Sequence, residues 1–187
     1  MRINQFSRLV LLAAGLAGLS TINVFAQAKI EEERYSFAER NLGGPRIGIS
    51  YVMGEGRLAT ELKKHGFGRL LSQFGWHFEY QVIPEGGGPQ FVIQFVPLIS
   101  GVEYSKIFPT ATLAIGVRLP DGIEFGMGPN VLLSANPRTA LTIAVGKSFN
   151  YGGVSIPINL ALTTNPDGQR ISLIFGYAIK GGAKSQW

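Results

Sequence analysis

His65 and His77 are the only histidines in the 187 residues, and there is no cysteine. Two imidazoles without an acidic cluster at ligand spacing do not make a zinc site. Without a thiol there is neither a disulfide framework nor a thiolate nucleophile. One group has the residue types of a hydrolase: Glu61, His65 and Ser72, which share a single long connection. Such a set works only where its members converge in space. The glycines of "EGGGPQ" (85–90) suggest a phosphate loop, but the Lys-Ser/Thr pair and the following helix are missing, so the stretch reads as a hairpin turn. These readings identify no catalytic residue, no metal ligand and no cofactor.

A second polar set carries more information. Arg46, His77, Glu79, Gln81, Gln94, Arg118, Glu124 and Arg170 all fall on the same side of runs that alternate with period two, the spacing of a strand with two different faces. Arg118 and Glu124 flank the turn "PDG" (120–122), which places them to meet across a hairpin. Buried charge is costly unless paired. The expectation is therefore a filled lumen with an ion-pair and hydrogen-bond cluster built on Arg46, Glu79, Arg118 and Glu124, and with His77 hydrogen-bonded nearby.

The elements that must position these side chains are eight alternating runs, roughly Arg46–Met53, Gln73–Ile83, Gln90–Ser100, Pro109–Leu119, Gly122–Leu133, Arg138–Lys147, Val154–Thr164 and Arg170–Ile179. Turn residues punctuate them at 85–88, 120–122, 135–137, 150–153 and 165–168. One face of the later runs is bulky and uncharged: Leu113, Ile115, Val117, Leu141, Ile143, Val145, Ile158, Leu160, Leu173 and Phe175 among others. The opposite face is nearly bare, with Ala114, Gly116, Ala140, Ala144, Gly146 and Gly176. A soluble barrel or sandwich would turn the bulky face inward and show water a face rich in Lys, Glu, Asp and Thr. A membrane barrel turns the bulky face to lipid and packs small and polar residues inside. Eight strands leave an interior just wide enough for side chains. The fold expected is thus all-β, an eight-stranded antiparallel up-and-down transmembrane barrel of the outer-membrane type. Pro97, Pro129 and Pro157 fall within or beside the runs, and proline cannot donate to a ladder. Bulges or shortened strands are expected there.

Residues 1–26 read as a cleaved secretory signal: Arg2 and Arg8, an apolar stretch from Leu9 to Leu19, and small residues at Val24 and Ala26. That stretch is shorter than the about 20 residues a membrane anchor needs. Residues 27–44 are charged and read as a linker or short helix, and residues 45–187 as the barrel domain. Gly54–Ser72 is the one long connection. It is expected to hold a short helix with Leu58 and Leu62 on one face, ended by Gly66, and to offer a surface for a partner. Without the signal, fifteen basic residues stand against twelve acidic ones. This mild, scattered excess lacks the basic stripe of a nucleic-acid binder; membrane lipids are the expected partners.

The stretches "SQFGWHFEYQ" (72–81), "EFGMGPNV" (124–131), "VSIPINLAL" (154–162) and "RISLIFGYAI" (170–179) resemble a group of small outer-membrane β-barrel proteins of Gram-negative bacteria. The resemblance covers about Gly44 to Ile179 and implies a barrel in that membrane; it carries no catalytic residues. One departure is the C-terminus, where "KGGAKSQ" separates Trp187 from the last run. A non-enzymatic structural or surface-interaction role is expected. The alternatives are a soluble periplasmic barrel with an apolar ligand inside, and a lipid-modifying enzyme of the same membrane.

Overall fold

The computed structural model describes residues 37–133 and 137–180; the signal expected at 1–26 and the terminal Trp187 lie outside them. Strand β1 (Phe37–Met53) is followed by helix α1 (Arg57–Lys64), then β2 (Leu70–Pro84), β3 (Gln90–Ser100), a 3-10 turn (Val102–Tyr104), β4 (Phe108–Arg118), β5 (Ile123–Leu132), β6 (Arg138–Tyr151), β7 (Val154–Asn165), β8 (Gly168–Gly176) and β9 (Ala178–Lys180). From β1 to β8 every strand pairs antiparallel with its sequence neighbour, and β1 closes the ring by pairing with both β2 and β8. β9 continues β8 along β1 in the same register. The result is a closed eight-stranded antiparallel up-and-down barrel. One end carries the short Leu119–Gly122 and Tyr151–Val154 connections (the turn end). The other carries α1 and the 3-10 turn (the loop end).

The bulky face points outward. Leu113, Ile115, Leu141, Ile143, Ile158, Leu160 and Leu173 are each 43–50% exposed. The bare face lines the lumen, and its bareness has a steric cause. At Gly75 a Cβ would run into the Pro97 carbonyl of the next strand, and at Gly116 into that of Phe125. The soluble alternative needed the large aliphatics clustered at the centre. They lie on the outside, so an apolar-ligand barrel with a greasy lumen does not describe this chain.

Two further expectations change. Phe37–Gly44 is strand, not linker or helix: it pairs residue for residue with His77–Pro84, extending the register set by Ile47 and Phe74. The long partner β2 satisfies its backbone, which overrides the helix-forming composition. The prolines need no bulge. Around Pro97 the β2–β3 ladder lapses after Gly75↔Leu98 and resumes at Phe78↔Phe95 in unchanged register, while Pro97↔Ala111 holds on the other side. Pro129 and Pro157 likewise interrupt one ladder each and keep the other. One missing donor is absorbed locally because the flanking pairs fix the register.

The loop end is covered by the Gly54–Ser72 connection. Leu62 and Ala59 of α1 pack with Val52, Phe67 and Leu71, joined by Leu58, Tyr104 and Phe108. Phe67 meets Phe108 at 4.4 Å between ring centroids. The helix ends in a Schellman arrangement: Gly66 N–H donates to the Lys63 carbonyl (3.0 Å) and Phe67 N–H to that of Leu62 (2.9 Å). Gly66 has φ of 74°, which a Cβ disfavours. Gly66→Ala is expected to cost about 1 kcal/mol and to show as faster protease clipping between α1 and β2.

Candidate functional site

Of the eight polar residues expected inside, Arg46, His77, Glu79, Gln81, Arg118 and Glu124 are buried in the lumen, and Gln94 and Arg170 are partly buried there. The structure joins them in two groups and leaves one aside.

The first group is centred on Arg118 at the turn end. Pairing of Arg118 with Glu124 across the β4–β5 hairpin sets Nε 2.9 Å and Nη2 2.5 Å from Glu124 Oε2. The same guanidinium reaches past β3 to Glu79, with Nη1 donating to Oε1 (2.6 Å) and Nη2 to Oε2 (2.8 Å). One cation thus serves two carboxylates in a fork geometry. Amides complete the oxygens. Gln94 Nε2 donates to Glu79 Oε2 at 2.9 Å, and Gln81 Nε2 donates to Glu79 Oε1. Asn159 Nδ2 donates to Glu124 Oε1. His77 Nε2 lies 3.1 Å from Glu79 Oε2, yet both ring nitrogens lack a hydrogen-bond partner among the described residues. The contact sets the imidazole against the Glu79 carboxylate, inside the lumen.

Arg46 is buried beside this cluster but outside it. It makes no ion pair among the described residues, and its Nη1 has no hydrogen-bond partner. It donates no direct hydrogen bond into the network, because Arg118 and three amides already occupy both carboxylates, but the charges of Glu79 and Glu124 act on it. Arg170 belongs to a second group nearer the loop end: its Nη2 donates to Asn130 Oδ1 (2.6 Å), and Asn130 Nδ2 donates to Thr112 Oγ1 (2.8 Å).

Asn159 was not among the candidates. The signal lay in the registers: Glu124 pairs with Gly146, and Gly146 with Asn159. The missing side chain at Gly146 lets the amide reach across a strand to the carboxylate. Asn159→Leu removes that donor from a buried carboxylate and is expected to cost about 1–3 kcal/mol, read as a lower thermal unfolding midpoint.

The hydrolase set does not assemble. Ser72 Oγ donates to Glu103, whose Oε1 also accepts the Ser72 N–H at 2.8 Å. His65 lies 3.7 Å from Glu61 instead. Burial pushes the Glu103 carboxyl up, but these hydrogen bonds outweigh it and hold the group below its ordinary value. Among the described residues no group of three metal-ligating side chains is present.

No family model matches the chain, and no curated protein matches it. Among solved structures the chain is similar to Ail, the attachment invasion locus protein of Yersinia pestis. The TM-score is 0.47 at 13% identity, covering 75% of this chain and 97% of that one. Ail in complex with the heparin analogue sucrose octasulfate gives 0.41 at 16% identity, covering 75% and 99%.

Proposed function

We propose that this chain is an integral outer-membrane barrel of a Gram-negative cell. It is non-enzymatic, with its lumen closed by the Arg118 cluster and its loop end displayed as a surface for interaction. The observation that carries the reading is the outward belt of aliphatic and aromatic side chains around the closed wall. So large an exposed apolar surface is stable only against hydrocarbon. Small hydrophobic ligands have no place in a lumen filled by Arg, Glu, Gln and Asn. The interaction surface is Gly54–Ser72, because α1 is fixed from beneath by its own apolar cluster and shows Lys63 and Lys64 to solvent. An ordered display loses less conformational freedom on binding than a loose loop does.

Cell fractionation with gel mobility tests the placement. Recovery with outer membranes, and a mobility that changes when the sample is heated, are expected. Recovery in the soluble periplasmic fraction would reject it. Planar-bilayer recording should show no open-channel conductance, since Glu79, Arg118 and Glu124 cross the lumen.

A further inference from the structure

A cavity of about 70 Å³ lies in the lumen between the two polar groups. Arg46, His77, Gln94, Thr112, Thr142 and Asn159 line it on the polar side, and apolar side chains such as Val96, Leu98 and Ile174 make up the rest of the wall. Arg46 is 3% exposed and His77 1%; the Arg46 Nη1 and the His77 Nδ1 have no hydrogen-bond partner among the described residues, while His77 Nε2 lies 3.1 Å from Glu79 Oε2. A buried guanidinium edge without an acceptor is costly. The nearby acceptors are already engaged: Glu79 is held by Arg118, Gln81 and Gln94, and Glu124 by Arg118 and Asn159.

The lumen charges also fail to balance. Over the whole lumen three arginines stand against two carboxylates: Arg118 pairs with Glu79 and Glu124, Arg46 lies in the field of both, and Arg170 lies apart on Asn130 nearer the loop end, while Arg138 is paired with Asp167. With neutral His77, one positive charge is left over.

We propose that this cavity binds one small monovalent inorganic anion, of halide size, between Arg46 and His77. The chemistry is direct. The guanidinium supplies charge and an N–H, and the Thr112 hydroxyl lies on the same wall. A cavity needs about 10–15 Å³ of such room to hold a water-sized guest, so an ion of halide size fits. The site sits beyond the Arg118 cluster, so its occupancy does not depend on the surface role proposed above.

The test uses the full mature chain refolded in detergent, with bromide and chloride as probes and gluconate as the anion too large to enter. Crystals grown in bromide are expected to show anomalous density between Arg46 and His77. The thermal midpoint of the wild type should rise by about 5 °C from about 10 mM to about 1 M chloride, relative to gluconate at equal ionic strength. Arg46→Gln should lose that dependence, and Arg170→Gln should keep it. Equal midpoints in chloride and gluconate, or absent bromide density in the wild type, would overturn the proposal and leave a water-filled cavity. The diffraction measurement needs no variant and decides the matter even if Arg46→Gln does not fold.

Discussion

Arg118→Met lowers the unfolding free energy of the barrel by about 3–5 kcal/mol, the largest loss expected from a single lumen substitution. The reason is the sharing of one guanidinium by two carboxylates. Arg118 holds Glu79 at 2.6 Å and Glu124 at 2.5 Å, and removing it leaves two buried anions facing each other. Gln81, Gln94 and Asn159 remain to solvate them but bring no charge. The loss belongs to the broken network rather than to any net gain from burying it. Replacing a whole buried ion group by apolar residues is often neutral or stabilising. The combined variant Glu79→Leu, Arg118→Met, Glu124→Leu is therefore expected to recover much of the loss. Urea unfolding of the three proteins in one detergent checks both statements. A single variant as stable as the wild type would show that the cluster does not hold the lumen together.

Ile143→Arg costs about 2–4 kcal/mol, and the cost falls to about 0–1 kcal/mol as arginine is moved to Phe149 and then Tyr151. Ile143 faces outward between Met127 and Leu162, in the middle of the apolar belt. Tyr151 closes β6 at the turn end and is 84% exposed. Only a hydrocarbon layer makes the cost of a charge depend on depth. In water, all three substitutions on exposed positions would cost almost nothing. The wild-type chain already places a cation on this strand. Lys147 faces outward, and its Nζ lies 5.8 Å from the Phe149 ring centroid, directed toward the turn end as a snorkelling lysine would be. Equilibrium unfolding in lipid vesicles reads the gradient.

Most of the wall is legible in the sequence, because period two with one bare face is a local signal. The pairing of Arg118 with Glu124 was legible for the same reason: a short turn fixes their register. The Glu79–Arg118 contact was expected in outline, but its geometry depends on curvature. It spans β3, and only a closed ring brings β2 and β4 that near. Arg46 lies beside the cluster without a direct bond into it, because Arg118 saturates both acids, which charge sign alone does not reveal. Asn159 was overlooked because its reach depends on an absent side chain, that of Gly146. The prolines looked like objections to closure, yet each costs one stretch of one ladder. Phe37–Gly44 was misread because its strand character comes from β2, not from its own pattern.

The most direct test places a nitroxide at each position from Leu141 to Lys147, in turn, with the protein in lipid bilayers. Labels at 141, 143 and 145 are expected to relax with dissolved oxygen, which concentrates in hydrocarbon, and to ignore a water-soluble nickel complex. Labels at 142, 144 and 146, on the lumen side, are expected to be shielded from oxygen. Nickel access at 141, 143 and 145 equal to that of a fully hydrated site would contradict a lipid-facing wall.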